Sequence, residues 1–147
     1  MMGIAWLRTR RDVPLGLGRI TIAGAITLFG PPLVGILLAL IGGAISPSQN
    51  NLVFGTGFVV FYSVMFSWAG LLPGMALHWG AWRLGWGGFL PCLALATALG
   101  LLLAEFVGPL AWIFGIPLAA IYWWTLRWLS PGSFRPAAVR APSAMGD

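Results

Sequence analysis

An all-α integral membrane protein, built as a small bundle of four transmembrane helices, is the fold class predicted by three features of the sequence. Hydrophobic residues make up 59% of the 147 positions and charged residues only 7%. A soluble domain uses about 25% charged residues to coat its core. Eight basic and three acidic side chains fall well short of that coat; a bilayer removes the need for it. Uncharged runs long enough to span a ~30 Å hydrocarbon layer recur along the chain. The arginines fall between these runs in an alternating order that matches four crossings.

The elements follow in chain order. Residues 1–19 form a basic N-terminal segment, with Arg8, Arg10, Arg11 and Arg19 set against Asp12. Ile20 to Ile45 carries no charge and would run roughly 39 Å as a helix, enough for a tilted crossing. Pro31 and Pro32 interrupt its middle. Each removes a backbone donor, which predicts a kink in helix one; a re-entrant first half is the alternative. SPSQNN (46–51) reads as a polar turn. The second span is 52–72, closed by Pro73–Gly74. LHWGAWRLGWGG (77–88) holds the sole histidine, His78, and three tryptophans. The third span is 84–103. AEFVGP (104–109) reads as a tight turn with Glu105 at its tip and Pro109 placed to begin a helix. The fourth span is 110–129, and the Pro-, Ser- and Ala-rich residues 130–147 read as a disordered cytoplasmic tail. The spans 20–45, 52–72, 84–103 and 110–129 together make one transmembrane domain, 20–129.

All eight basic residues are arginine, and their placement orients the chain. Four precede the first span, Arg83 lies between spans two and three, and Arg127, Arg135 and Arg140 border or follow the fourth. Neither 46–51 nor 104–109 carries one. Cytoplasmic loops hold the excess of Lys and Arg. Both termini are therefore expected in the cytoplasm, and a bacterial inner membrane is the expected location. A cleaved signal is disfavoured because the first apolar run exceeds the usual 7–15 residues and no A-x-A site follows it. TRRDVPL (9–15) only faintly resembles a twin-arginine export signal.

The 77–88 stretch is read as an interfacial anchor. Indole rings favour the headgroup layer, where the ring is buried and its N–H stays wet. Trp79, Trp82, Arg83 and Trp86 form one such group; Trp123, Trp124, Arg127 and Trp128 repeat it at the end of span four. Small residues at four-residue spacing mark helix-packing faces: Gly35, Ala39 and Gly43 on the first span, Ala96, Gly100 and Ala104 on the third, Ala111, Gly115 and Ala119 on the fourth. Gly, Ala and Ser fill about a third of the chain, so such triples also arise by chance.

The remaining chemistry is sparse. Cys92 is the only cysteine, which excludes an internal disulfide, and it reads as a packing residue. His78 reads as a histidine wet from the cytoplasm, since a metal or haem site needs further ligands. Glu105 reads as a polar helix end. Thr21, Thr27, Tyr62, Ser63, Ser67, Thr97, Tyr122 and Thr125 supply the hydroxyls within the spans, where such groups bond to backbone or to a neighbouring helix. No ionisable residue falls securely inside a span, which argues against ion-coupled pumps. No catalytic pair can be assembled on one side of the membrane, so no enzyme activity and no cofactor or metal are expected. The expected function is an accessory, assembly or scaffold component of a larger membrane complex. Its partners are the lipid bilayer and a membrane protein or further copies of the chain, with no nucleic acid. A homo-oligomeric small channel or carrier for an apolar or weakly polar solute is the alternative. A lipid- or pigment-binding subunit is a third reading, based on the aromatic bands.

Overall fold

A long uncharged run with prolines near its middle folds as one helix here. The computed structural model describes residue 9 and residues 15–45 and 51–134. Helix α1 spans Leu17–Ile45 with Pro31 and Pro32 inside it. Helix α2 spans Leu52–Arg83, α3 Phe89–Val107 and α4 Leu110–Leu129, followed by a 3-10 turn at Pro131–Phe134. The described residues contain no strand. Trp6, Arg8, Arg10, Arg11 and Asp12, most of the 46–51 turn, and Arg135 and Arg140 lie outside the described residues.

Helix boundaries follow local chemistry. Four carbonyls at the end of α1 have no partner within the helix. Asn51 serves one of them, donating from Nδ2 to the Gly42 carbonyl at 2.7 Å. Its Oδ1 accepts from the Val53 and Phe54 N–H groups at 2.9 and 3.5 Å, which caps α2. One side chain thus closes one helix and opens the next. Gly108, at φ 91°, takes a backbone conformation that side chains disfavour. Its N–H returns to the Ala104 carbonyl, and Pro109 then starts α4.

Several expected boundaries differ. Helix α3 begins at Phe89 and not at 84, and it runs through 104–107 to Val107, so Glu105 stands in its last turn and not at the tip of a tight turn. Pro73–Gly74 does not end the second helix, and α2 continues for ten residues to Arg83. Missing one hydrogen bond bends a helix that packing holds on both sides; it need not end it. Helix α2 is bent elsewhere, by 55° between Leu52–Met65 and Ser67–Arg83, a turn ahead of the residue 69 carbonyl that Pro73 leaves without a donor. Ser63 Oγ donates back to the Val60 carbonyl at 2.6 Å, and Ser67 Oγ donates to the Ser63 carbonyl; such back-bonding favours bending. A further difference lies at the start of the expected tail. Ser130 and Ser133 are buried, and Phe134 packs its ring edge-on against Trp123 at 5.6 Å.

Close contacts fix the helix directions. Gly35 faces the backbone of Gly57 and Phe61, and Gly42 that of Phe54, so α1 and α2 run antiparallel. Gly70 approaches Leu103 and Gly74 approaches Leu99, which makes α2 and α3 antiparallel. Gly115 lies against the Ala96 carbonyl and Cys92 against that of Ala119, so α3 and α4 are antiparallel too. Helices α2 and α4 also touch, α1 touches α4, and α1 and α3 do not meet. The start of α1, the end of α2, the start of α3 and the end of α4 therefore gather at one end of the molecule. Arg19 joins two of them directly, donating to Ser130 Oγ at 3.2 Å.

The buried core sits at that same end, around Leu15, Ile20, Ala23, Trp82, Trp123 and Leu126. Elsewhere the helices show apolar side chains outward, including Ile22, Leu37, Leu40, Phe58, Leu102 and Phe106. Leu17–Ile45 and Phe89–Phe106 are long and apolar enough to cross a membrane, and the two arms of α2 add a third if they form one span. Only 17% and 11% of the most apolar windows of the first two are buried. Intrahelical bonds satisfy the backbone, and an apolar surround suits the remaining surface. This is the exterior of a membrane-associated chain.

Candidate functional site

The stretch singled out in the sequence, 77–88, is the turn around which the core is built. Helix α2 ends in a left-handed cap. Gly85 has φ 84°, its N–H bonds to the Trp82 carbonyl and that of Trp86 to the Ala81 carbonyl, both at 2.8 Å. These paired return bonds satisfy the last carbonyls of the helix and need a residue at Gly85 that tolerates positive φ. Thr9 straps the turn from outside. Its N–H donates to the Gly85 carbonyl at 3.1 Å, and its Oγ1 accepts from the Gly87 N–H at 3.2 Å. Gly87 must be small, because a Cβ there would lie 2.8 Å from Trp82 Cδ1 and 3.0 Å from Thr9 Oγ1.

The Gly87 carbonyl is the hub of the site. It accepts from His78 Nε2 at 3.1 Å and from Trp123 Nε1 at 3.3 Å. One carbonyl with two lone pairs thereby links α2, the turn and α4. The sequence-based reading of His78 as wet is corrected: the residue is 2% exposed. A carbonyl only accepts, so Nε2 carries the proton, and in the neutral imidazole Nδ1 is a bare acceptor. His78 Nδ1 has no hydrogen-bond partner among the described residues, and neither does Tyr122 Oη. The two rings meet edge-on with centroids 5.6 Å apart.

Both residues line a cavity of about 60 Å³ between α2, α3 and α4. The rest of its wall is almost wholly apolar. Leu71, Leu99, Leu103, Phe114 and Leu118 supply the bulk. Gly70 and Gly74 leave the space on α2, with Leu103 and Leu99 side chains 3.5 and 3.6 Å from where a Cβ would stand. His78, Cys92 and Tyr122 lie at one end. Ser67 also reaches the cavity, but its hydroxyl is bonded within its own helix. The same holds for Thr21, Thr27, Ser63, Thr97 and Thr125, each donating three or four residues back. Tyr122 differs from these hydroxyls in having no such bond. Cys92 is buried, with Sγ 3.8 Å from the Ala119 carbonyl.

The expected anchor residues divide into two groups. Trp82 and Trp123 are core side chains, at 6% and 0% exposure, and do not stand at a surface. Trp86, Trp124 and Trp128 are exposed. Arg83 is exposed and stacks over the half-buried Trp79 ring at 3.7 Å, and Arg127 lies 5.4 Å from the Trp123 ring centroid. Each such contact at an exposed site is worth about 0.5–1 kcal/mol. Arg19, Arg83 and Arg127 sit at the end where the core lies, and the exposed Glu105 is in the last turn of α3 at the opposite end.

The small residues also divide. Gly35 and Ala39 lie at the α1–α2 seam against Gly57. The third contact there is Gly42: a Cβ on it would overlap the Phe54 backbone, whereas one on Gly43 would come no closer than 4.0 Å to the Phe54 ring. Ala96 and Gly115 meet across α3 and α4. Gly100, Ala111 and Ala119 line the cavity, and Ala104 accepts the Gly108 cap bond. Thr9, Gly87 and the pairing of His78 with Tyr122 were not singled out in the sequence. A stripe at helical spacing (Ser63, Ser67, Gly70, Gly74, His78) was the available signal, readable once α2 is taken to continue past Pro73. Among the described residues no group of three His, Cys, Asp or Glu side chains could hold a metal ion. No family model matches the chain, and neither a curated protein nor a solved structure matches it.

Proposed function

We propose that the chain is a small multi-pass protein of a bacterial inner membrane that serves as an accessory, assembly or scaffold component of a larger membrane complex. In this reading all four helices cross the bilayer, α1 with a kink at Pro31–Pro32, and both termini face the cytoplasm. The observation that carries it is the outward aromatic face of α2. Phe58, Phe61, Tyr62 and Trp68 are exposed, with the Phe58–Tyr62 and Phe61–Tyr62 rings packed on one another at 4.6 and 5.3 Å. Rings already packed on one another lose little entropy when a neighbouring helix docks on them. Tagged protein drawn from its own membranes in mild detergent should carry a stoichiometric heterologous partner, and Phe61→Ala together with Trp68→Ala should release it. Recovery of a homogeneous monomer refutes the reading.

A carrier for an apolar or weakly polar solute is the second reading, favoured by the cavity beside His78 and Tyr122. Reconstituted vesicles should then pass such a solute faster than empty ones. Equal rates across a solute panel refute it.

A further inference from the structure

We infer that the end of the molecule bearing Arg19, Arg83 and Arg127 is a binding surface for the headgroups of anionic phospholipids, whose phosphates accept from the arginine N–H groups. Placement carries the inference. Arg19 stands in the first turn of α1, Arg83 is the last residue of α2 and Arg127 is in the last turn of α4, and all three are exposed. Antiparallel packing gathers these helix ends, whereas Glu105, the only carboxylate among the described residues, lies at the opposite end. Each guanidinium has donors to spare. Arg19 uses one on Ser130 Oγ. Arg83 and Arg127 make ring contacts only, at 3.7 Å from the Trp79 centroid and 5.4 Å from that of Trp123. A guanidinium over a ring spends its face there and keeps its five in-plane N–H groups, a fork that matches phosphate oxygens.

The neighbours suit headgroup depth, and the charge selects the lipid. Trp86 follows Arg83 by one turn, Trp124 and Trp128 flank Arg127, and all three indoles are exposed; such rings favour the headgroup layer. Thr9, bonded to the turn at Gly85 and Gly87, has Arg8 and Arg10 on either side in the sequence, and Arg135 follows the packed Phe134. The segments before α1 and after α4 carry five arginines against Asp12 and Asp147. A zwitterionic headgroup brings its own cation with each phosphate and leaves this excess uncompensated. An anionic headgroup compensates it.

This inference goes beyond the accessory reading and fails separately from it: a lipid preference needs no protein partner, and a captured partner implies no lipid preference. The test uses the full-length protein in phosphatidylcholine vesicles doped with spin-labelled phosphatidylglycerol or spin-labelled phosphatidylcholine, whose motionally restricted fractions give the affinity ratio of the two lipids. The ratio should favour phosphatidylglycerol by up to about fivefold, the worth of one arginine near an anionic surface. Arg83→Gln with Arg127→Gln should at least halve it. Arg83→Lys with Arg127→Lys keeps the charge and should keep the preference, and Glu105→Gln, at the far end, should not change it. A purely structural role is separable. Both arginines stand in last turns, where helix dipoles favour cations, and losing that alone lowers the unfolding temperature equally in every lipid. A headgroup site instead makes the parent's unfolding temperature rise with the phosphatidylglycerol fraction, and the Gln variant's barely respond. Equal affinity for the two lipids overturns the site, as does a preference that the Gln variant keeps or the Lys variant loses. Loss of the preference on adding inorganic phosphate assigns the arginines to a free anion, and displacement of the lipid by an oligonucleotide assigns them to nucleic acid; either result overturns it.

Discussion

Two tryptophans near helix ends, Trp82 and Trp128, show what separates an anchor from a core side chain. Both lie in stretches rich in Trp and Arg near a helix end, and composition treats them alike. Trp82 is 6% exposed and Trp128 76% exposed. Truncating a buried indole removes its packing and leaves a cavity, at about 3–5 kcal/mol, whereas an exposed site away from caps and cores changes stability by about 0.5 kcal/mol or less. Trp82→Ala should therefore lower the unfolding temperature in detergent sharply, and Trp128→Ala should leave it nearly unchanged. Comparable losses in the two variants would contradict the assignment of Trp82 to the core. The same distinction explains His78. A histidine beside Trp79 and near Arg83 has the composition of a wet interface, yet a carbonyl nine residues on, turned inward by the left-handed Gly85 cap, gives it a buried partner. That partner is backbone, and backbone carbonyls leave no mark in residue identity.

At the scale of helices, the bounds of α4 were legible, while the end of α2 and both ends of α3 were not. Pro109 and Ser130–Pro131 bracket α4 at the bounds read from sequence, because a residue lacking an N–H starts or stops a helix on local grounds. Pro73 carries the same chemistry and is itself exposed, but the next two residues pack on neighbouring helices, Gly74 near Leu99 and Met75 against Gly24, and tertiary contact keeps the helix going. Faces are harder still. Gly42 and Gly43 are adjacent, identical in type and about 100° apart around the helix, so spacing alone chose the wrong one of the pair. The contrast makes a clean test. A methyl group on Gly42 would stand 2.8 Å from Phe54 Cα, and one on Gly43 would touch nothing nearer than 4.0 Å. Gly42→Ala should destabilise the α1–α2 seam by about 1–3 kcal/mol, read as a fall in thermal or denaturant midpoint. Gly43→Ala should be neutral or slightly stabilising, since alanine favours helix more than glycine does. The reverse order would mean that the seam runs through Gly43.

For the molecule as a whole, the direction of each helix and the sign of each end have separate origins that agree. Close contacts make successive helices antiparallel, which brings Arg19, Arg83 and Arg127 to one end and leaves Glu105 at the other. The arginine order along the sequence would follow the same alternation if basic loops stay on the side of synthesis. Burial is likewise uneven: the core closes around the arginine-bearing end, while the apolar flanks of α1 and α3 remain outward. If the four helices each cross the bilayer, reporters fused after residues 48 and 107 should be active only outside the cytoplasm, and a reporter after residue 85 only within it. Because positive residues steer orientation over short loops, changing Gln49 and Asn50 to arginine while replacing Arg83 with alanine should lower the outside signal at residue 48 without changing helix content. A chain in which only α1 and α3 cross gives a different pattern. Residues 85 and 48 would then report the same side, and so would residue 107 and the N-terminus. The fusion at residue 85 thus decides whether the bent α2 is a crossing or lies against one face, and with it whether the His78 cavity is walled by lipid-spanning helices or stands at the membrane surface.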